Sequence, residues 1–500
     1  MTIQPTTKDA YDLLHQGALV LTRASRKGIP IDVPYLKHQV RRLERQKKQA
    51  EEAFRASTVG QAWVKRYGEA MNPDSDPQLG KVLFGDLGYS PTAYTGKKDK
   101  DGNDRPSVTR AALEATNAPG LGDLIKYRKL DKTLGTYVLG LLKEQVDGVL
   151  HPFFMLGAGR GDGNSGGAQT FRSSSASPNF QNIPVRDPDQ GRTVREAFYP
   201  WPGQRILEAD YSGAEVRVGA CVHQDPSMIS YLMGKGDMHR DAGDDLFGIT
   251  PDDPFWKTKN GKDVRFYCKN GWTFPQFYGS YWGQCAPNLW RAIEQNDLKG
   301  PEEKPLQEWL KDRLKIRSYK AFESRTKKAE SILWDERFKV YSKWKNKTCD
   351  FLIQHGYVEL VTGFRCWGPM DRKQASNFPI QGPAFHCLLW SLIHIDELAR
   401  KEEWKTAIIG QIHDSDVNSL EPTEADHVIA TITRISTKTI LDAWKWLIIP
   451  MEIEMEAGAV DGSWHGKSLV VSHSCTQKHH WARKDGKELE CLTCNERSPT

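Results

Sequence analysis

The segment at residues 206–217, Ile-Leu-Glu-Ala-Asp-Tyr-Ser-Gly-Ala-Glu-Val-Arg, constrains the fold of this chain more than any other. Its apolar beginning predicts a β-strand that ends near Asp210, and the Ser-Gly pair after Tyr211 predicts a tight turn that opens a helix carrying Glu215. A carboxylate fixed at a strand end, with the backbone carbonyl of Tyr211 beside it, supplies oxygens of the kind that Mg²⁺ binds. The segment therefore predicts a strand–turn–helix unit that can hold a divalent metal.

A second carboxylate of the same kind lies in residues 407–419, which predict another strand with His413-Asp414 among apolar residues. A lone strand-end aspartate is usually only a turn residue. Two such aspartates that converge on one pair of metal ions are what two-metal phosphoryl transfer requires. We therefore expect Asp210 and Asp414 to be the catalytic metal ligands.

Five blocks of the sequence, these two included, resemble the motifs of the family A DNA polymerases, the group of bacterial DNA polymerase I and several phage replicases. The blocks follow the family's order: 170–174 with 177–184 ahead of motif A, 210–217 for motif A, 265–279 for motif B, 377–382 between motifs B and C, and 411–414 for motif C. The resemblance covers roughly residues 20–465. It implies an α+β multidomain fold, a right-hand polymerase with an antiparallel palm sheet and helical fingers and thumb.

The resemblance also implies a division of the chain, and 500 residues do exceed the usual size of one domain. Residues 34–66 predict one long charged helix at the start of the thumb. The expected parts are an N-terminal head (1–33), the thumb (34–150), a first palm part with motif A (151–235), the fingers with motif B (236–367), a second palm part with motif C (368–469) and a tail (470–500).

The resemblance further implies a role for each site residue. Two Mg²⁺ ions would be bound by Asp210, Asp414 and the Tyr211 carbonyl, one activating the primer 3′-hydroxyl and one holding the triphosphate. The expected dNTP-binding residues are His239, Arg265, Lys269, Phe274, Glu215 and Tyr278, and the expected contacts to the primer–template minor groove are Arg172, Asn377, Gln381 and His413.

Two of these positions predict which sugar the site accepts. Glu215 stands where the family closes the space that a ribose 2′-hydroxyl would need, so ribonucleotides should be excluded by shape. Phe274 stands where the family has Phe or Tyr. A Phe lacks the hydroxyl that can replace a missing 3′-OH, so dideoxynucleotides should be poor substrates.

The sequence departs from the family pattern in three places. Motif C usually reads His-Asp-Glu, but Ser415 replaces the glutamate and Asp416 follows it. Motif B has one extra residue between Lys269 and Phe274, which rotates a helix by about 100°. Either a bulge absorbs the extra residue, or the helix begins near Thr273-Phe274-Pro275 with Thr273 as its cap, and we favour the second arrangement. The third departure is Lys373 where the family commonly has Arg, with Arg372 as a substitute.

The tail, residues 470–500, lies outside the resemblance and predicts a small zinc-ribbon-like unit. Cys475-x₃-His479 and Cys491-x₂-Cys494 have the pairwise spacing of zinc ligands, with His473 and His480 as alternatives. A unit this small needs such a metal because it cannot bury enough apolar surface alone. A role in docking DNA or a partner is one hypothesis for it.

Composition is compatible with this interpretation without deciding it. The net charge of +5 permits a nucleic-acid partner, and nine cysteines in 500 residues suit a reducing cytoplasm, that of a bacterial host if the chain is phage-encoded. No Asp-x-Glu exonuclease motif precedes the thumb, so we expect proofreading to come from a separate exonuclease or not to occur. A processivity factor is another expected partner, and no membrane is.

Two other function classes stay open at this point. A single-subunit RNA polymerase shares the palm and both aspartates, although Glu215 argues against it. A catalytically inert primer–template-binding protein is the second, since motif C is altered at Ser415.

Overall fold

The computed structural model describes residues 5–98, 102–157, 167–185, 187–295, 297–473 and 475–499. They form an α+β structure in which an eight-stranded antiparallel sheet is surrounded by helices. This confirms the predicted fold class at the level of helices around an antiparallel sheet. Within these ranges, no helix is long and apolar enough to cross a membrane.

The N-terminal part, up to the first sheet strand, is mostly helical. The predicted long helix at 34–66 is in fact two helices, because Ser57 adopts an extended backbone (φ −75°, ψ 164°) and its side chain accepts a hydrogen bond from the Gly60 backbone N–H at 3.1 Å. The elements are α1 (Thr7–Lys27), β1 (Ile29–Pro30), α2 (Val33–Ala56), α3 (Thr58–Tyr67), α4 (Asp76–Gly80), β2 (Tyr94–Lys98), β3 (Asp104–Pro106), α5 (Arg110–Thr116), α6 (Leu121–Lys132), α7 (Gly140–Glu144), β4 (Val149–Leu150) and β5 (Phe153–Met155).

The next elements lead into the central strand of the sheet and out of it again. They are β6 (Ser174–Ala176), α8 (Pro188–Arg195), β7 (Arg205–Tyr211), α9 (Ala214–His223) and α10 (Pro226–Leu232). The predicted strand, turn and helix of motif A are therefore confirmed as β7, Ser212-Gly213 and α9. Gly213 begins the helix at φ +65°, a left-handed conformation that favours glycine.

The middle of the chain is helical and has its own hydrophobic cluster, which extends from Ala242 to Ala329. Its elements are α11 (Met238–Phe247), α12 (Lys259–Tyr267), α13 (Phe274–Phe277), α14 (Trp282–Gln295), α15 (Leu306–Leu314), α16 (Tyr319–Ser331) and α17 (Lys339–His355). A separate cluster extends from Phe54 to Leu124 within the predicted thumb. Both clusters agree with the predicted division, which stays a prediction.

The second half of the sheet follows this helical region. Its elements are β8 (Tyr357–Glu359), β9 (Arg365–Trp367), α18 (Arg372–Lys401), β10 (Ala407–Ile412), β11 (Ser415–Leu420), α19 (Ala425–Arg434), α20 (Ile440–Ala443), β12 (Ile453–Ala457), β13 (Ser468–Ser472), β14 (Trp481–Asp485), β15 (Glu488–Cys491) and β16 (Arg497–Pro499). The strand order is β10-β11-β7-β12-β13-β14-β15-β16.

The prediction of one strand at 407–419 is wrong. The segment is a hairpin of β10 and β11 in which Ile412 pairs with Ser415, so His413 and Asp414 are the two loop residues. His413 takes φ +53°, a conformation uncommon for a residue with a side chain. The hairpin places Asp414 at the tip of the sheet, next to the end of β7.

The tail is part of the sheet. Strand β13 pairs with β12, and β14, β15 and β16 continue the sheet outward. Arg205 of β7 is completely buried and forms an ion pair with Glu490 at 2.8 Å. Leu492 belongs to the hydrophobic cluster beneath β7 and α19. The tail therefore extends the sheet edge and shares its core.

Candidate active site

The two predicted metal ligands lie side by side at the end of the sheet. Asp210 is the penultimate residue of β7 and its cross-strand partner on β11 is Ser415, the residue after Asp414. The Tyr211 backbone N–H donates to the Asp414 carbonyl at 3.2 Å, which fixes the hairpin tip against the end of β7. The structure therefore brings Asp210, Tyr211 and Asp414 together, as the sequence predicted.

The electrostatics of this carboxylate pair suit a cation. Partial desolvation, then the negative charges of Asp414 and Glu208, raise the pKa of Asp210 to about 7. Desolvation also raises the pKa of Asp414, against the opposing effect of Arg172. A bound divalent cation would relieve this repulsion, so the oxygens present fit a Mg²⁺ site.

A buried polar network holds the hairpin in this position. The side chain of Gln411 on β10 accepts hydrogen bonds from Ser173 at 2.5 Å and from Gln181 at 2.7 Å, and donates to the His413 carbonyl at 2.7 Å. Ser173 and Gln181 come from the block ahead of motif A. Two of the five sequence blocks therefore meet here, and the hydrogen bond from Gln411 stabilises the left-handed His413.

Glu215, the residue expected to exclude the ribose 2′-hydroxyl, is held by an ion pair. Arg172 Nη1 lies 2.8 Å from Glu215 Oε1. Burial, followed by the negative charge of Glu215, raises the pKa of Tyr278, which lines the same hollow as Glu215. Glu215 is therefore fixed at the beginning of α9. Its negative charge is one of the causes that raise the pKa of Asp414.

Two of the remaining predicted primer–template residues line a hollow together with Glu215, and the third lies at the hairpin tip. Asn377 and Gln381, one turn apart on α18, line a small apolar hollow together with Glu215, Phe274 and Tyr278. His413 is exposed at the hairpin tip.

The residues predicted to bind the triphosphate form one cluster on the helical side. His239 on α11 lies edge to face against the Phe274 ring, with centroids 5.8 Å apart, and the Lys269 Nζ lies 5.1 Å from the centroid of the same ring. Arg265 on α12 donates to Asp237 at 2.7 Å. Burial, then the charge of Arg265, lowers the pKa of His239 to about 4, so this imidazole is neutral at pH 7.

The extra residue of motif B is absorbed inside a continuous helical run. Residues Cys268–Thr273 form a π-helical turn between α12 and α13. Thr273 has helical dihedrals, and its hydroxyl donates to the Cys268 carbonyl at 3.0 Å instead of capping a new helix. The favoured prediction of a helix that starts at Thr273 is therefore wrong, and the alternative with a bulge is right. The π turn returns Lys269 and Phe274 to one face, since it accommodates one residue more than an α turn.

The third departure from the family pattern also has a structural outcome. The Lys373 side chain runs beside Gly279, where an added Cβ would lie 3.0 Å from Lys373 Cγ. Arg372 instead donates to Asn346 at 2.8 Å. The lysine, and not its arginine neighbour, therefore reaches the turn that follows Tyr278.

Two residues of the site were not singled out from the sequence. Asp237 is the N-cap residue of α11 and also forms an ion pair with Arg265. The aspartate at the start of the sequence Asp-Met-His-Arg could have indicated the cap. Glu208 lies two residues before Asp210 on β7 and carries one of the charges that act on it. The period-2 alternation of a strand could have placed Glu208 and Asp210 on one face.

The predicted zinc ligands are also brought together, at the far edge of the sheet. The ligand atoms of Cys475, His479, Cys491 and Cys494 all lie within 4.8 Å of one another, with Cys475 Sγ 3.7 Å from Cys494 Sγ. Ligands about 2.3 Å from a tetrahedral zinc are about 3.8 Å apart, so the cluster has the right size. The alternatives His473 and His480 pair through their backbones at 2.9 Å and are not in this cluster.

Comparisons with known proteins agree with the motif analysis. A family model described as DNA polymerase family A matches residues 40–267. DNA polymerase I of Chloroflexus aurantiacus is 27% identical over 470 residues, which are 91% of this chain and 43% of that protein. The thermostable DNA polymerase I of Thermus aquaticus is 27% identical over 463 residues, 88% of this chain and 46% of that protein. The chain thus spans less than half the length of these relatives.

A solved structure has the same fold. It is the POL domain of Pol1 from M. smegmatis, in complex with DNA primer–template and dNTP, and it is 23% identical with a TM-score of 0.68. The similarity covers 90% of this chain and 70% of that one. Together these findings confirm the predicted resemblance to the family A DNA polymerases.

Proposed function

Because the chain is related to the family A DNA polymerases, we propose that it is a template-directed DNA polymerase, which adds dNTPs to a primer 3′-hydroxyl by two-metal phosphoryl transfer. The observation that carries the proposal is the pair of carboxylates, Asp210 and Asp414, fixed side by side by the Tyr211–Asp414 backbone contact. The cationic cluster of Arg265 and Lys269 supports it, because a triphosphate needs compensating charge close to the reacting phosphorus.

One group of residues would bind the metal ions and another would bind the triphosphate. Asp210 and Asp414 would hold two Mg²⁺ ions, which when bound lower the pKa of the 3′-hydroxyl and neutralise the leaving pyrophosphate. Arg265, fixed by Asp237, and Lys269 would bind the triphosphate. His239, neutral because it is buried, would donate to a phosphate oxygen without adding charge.

The opposite wall of the site would check the sugar and the new base pair. Glu215, held by Arg172, would fill the space of a 2′-hydroxyl. Tyr278 and Phe274 would pack against the incoming nucleotide. Asn377, Gln381 and His413 would meet the minor-groove acceptors that all base pairs share, so pairing is sensed without reading sequence.

Single-nucleotide addition tests this function. The full chain is given Mg²⁺, a labelled primer and four templates that differ only in the next base, with each dNTP or rNTP alone. The proposal predicts one added nucleotide, the complementary dNTP, on each template. Addition of rNTPs at equal rates would favour an RNA polymerase, and no addition by a protein that binds the duplex would favour an inert DNA-binding protein.

For the tail, we propose a structural zinc ion bound by Cys475, His479, Cys491 and Cys494. The support is the size of the cluster and its continuity with the sheet, since β15 ends at Cys491 beside the buried Arg205–Glu490 pair. Zinc would therefore fasten the outer strands to the sheet. Metal analysis of the purified chain should give one zinc per chain, and Cys494→Ser should abolish it; zinc that stays bound in this variant would contradict the assignment.

The wider setting of the enzyme is proposed from its relatives. The named relatives are bacterial DNA polymerases, so we propose that the chain works on primer–template DNA in a bacterial cytoplasm. A separate exonuclease and a processivity factor remain predicted partners.

A further inference from the structure

The serine that replaces the motif C glutamate lies directly beside the metal site. Ser415 is the cross-strand partner of Asp210, so both side chains project from the same face of the sheet. The Ser415 oxygen lies 3.0 Å from the Ile412 carbonyl and 3.4 Å from Glu208 Oε1, so its single proton is shared between two acceptors. The position that would carry a carboxylate in the family therefore carries a small donor that points to another carboxylate.

That carboxylate belongs to Glu208, which shares a face of β7 with Asp210. Residues two apart on a strand lie on one side, about 7 Å apart. Both residues therefore share a face of the sheet with Ser415, the cross-strand partner of Asp210, whose hydroxyl lies 3.4 Å from Glu208 Oε1. Asp416 cannot take this part, because it pairs with Ala209, faces the other side of the sheet and is completely buried with Asn418 as hydrogen-bond donor.

Glu208 is held in a defined orientation. Its Oε2 accepts from Trp464 Nε1 at 2.8 Å and from the Lys467 ammonium, and Arg195 lies 3.9 Å away. The Lys467 ammonium and the Arg195 guanidinium also place two positive charges beside this carboxylate. With Oε2 committed to these donors, Oε1 is the oxygen that faces Ser415 and the metal-binding end of the sheet.

We propose that Glu208 supplies to the metal site the carboxylate that the resembled family supplies from motif C, delivered from β7 instead of from the hairpin. It would act as a positioning residue: Lys467 and Trp464 hold Oε2, and Oε1 would be left to accept a hydrogen bond from water at the metal site. The serine at position 415 fits this arrangement, because a glutamate there would place a second carboxylate against Glu208 and repel it. The inference rests on the proposed polymerase function.

The test measures metal binding directly, with Mn²⁺ as the probe. The full chain with primer–template is titrated with Mn²⁺, and the unbound ion is followed by electron paramagnetic resonance. Glu208→Gln should weaken Mn²⁺ binding about 10-fold, the scale of a lost outer contact to a metal site. The matched control is Glu456→Gln, because Glu456 is the cross-strand partner of Glu208 and binds the same Lys467 at 2.6 Å. It should leave the affinity unchanged.

A relocation variant makes the test specific. Combining Glu208→Ser with Ser415→Glu restores the family arrangement, and it should recover most of the Mn²⁺ affinity that Glu208→Gln loses. Equal affinities for Glu208→Gln and Glu456→Gln, or a relocation variant no better than Glu208→Gln, would overturn the inference.

Asp210→Asn separates this failure from failure of the proposed function. If Asp210→Asn weakens Mn²⁺ binding while Glu208→Gln does not, only the inference about Glu208 is wrong. If Asp210→Asn has no effect on Mn²⁺ binding, the proposed metal site itself is wrong, and the inference falls with it.

Discussion

In the proposed polymerase, replacement of Glu215 by alanine should let the site accept ribonucleotides. Glu215 is fixed by Arg172 at 2.8 Å and lines the hollow between Phe274 and Tyr278. In the wild-type site a ribose 2′-hydroxyl would have to be buried against this carboxylate and the aromatic wall. Because Glu215 Oε1 is already engaged by Arg172, the hydroxyl would lack a good partner, and a buried hydroxyl in that state costs about 1–3 kcal/mol. At about 1.4 kcal/mol per factor of ten, this amounts to about 10–100-fold in selectivity.

The assay compares kcat/KM for dATP and ATP opposite a template dT. Glu215→Ala should lower the dATP/ATP ratio by about 10–100-fold. Glu215→Gln is the control, because it keeps the volume while it removes the charge that pairs with Arg172. Its ratio should stay near that of the wild type. An unchanged ratio in Glu215→Ala, or an equal fall in Glu215→Gln, would refute exclusion by shape.

Three further predictions follow from the site and its surroundings. Asp237→Ala should raise the KM for dNTPs, because Arg265 loses its 2.7 Å partner, and it should also cost about 1 kcal/mol in the free energy of unfolding through the lost cap of α11; an unchanged KM would contradict the role given to Asp237. Phe274→Tyr should raise incorporation of dideoxynucleotides about 10-fold or more, since the new hydroxyl can donate to the triphosphate in place of the missing 3′-OH, and primer extension with ddNTP and dNTP mixtures would show no change if this is wrong. His386 is buried, its side chain is hydrogen-bonded to Thr362 at 2.7 Å, and burial lowers its pKa to about 3. Between pH 6.5 and pH 3, therefore, the imidazole is protonated in the unfolded chain but not in the folded one. Relative to the wild type, His386→Gln should therefore gain about 1.4 kcal/mol per pH unit as pH falls below 6.5, and urea unfolding at pH 7 and pH 5 with equal differences would contradict it.

The parts of the site that the sequence predicted are those with strong local signals. The apolar run into Asp210 and the Ser-Gly pair after it fixed the strand, turn and helix, and the Cys and His spacing of the tail indicated its cluster. His239, Arg265 and Phe274 could be grouped only through the family resemblance, since they lie on three different elements.

The errors have physical causes. The 407–419 hairpin turns at His413-Asp414, with neither Gly nor Asn to mark it, and the left-handed His413 is stabilised by Gln411 from the strand itself. The π turn at Cys268–Thr273 leaves no mark in the sequence beyond one extra residue. The break at Ser57 depends on a single side-chain cap within an otherwise helical pattern.

The strand period could place Glu208 on the same face as Asp210, but its position relative to the hairpin could not be seen from the sequence, because that depends on strand register. Only the pairing of Ser415 with Asp210 shows that Glu208 shares its face of the sheet with Ser415, while Asp416 faces the other side. The attachment of the tail likewise depends on Arg205, which looks like an ordinary strand arginine until its burial beside Glu490 is known. Both are long-range contacts that local patterns do not encode.

The most direct measurement of the central claim is Mg²⁺-dependent primer extension by the Asp414→Asn variant. The control is Asp442→Asn, because Asp442 is an exposed carboxylate whose side chain is 84% accessible. The account predicts that Asp442→Asn extends the primer with dNTPs like the wild type, while Asp414→Asn binds the duplex equally well but extends it slower by a factor on the order of 1000 or more. Extension by Asp414→Asn at the wild-type rate would show that the carboxylates at the ends of the β7 strand and the β10–β11 hairpin are not the catalytic metal site.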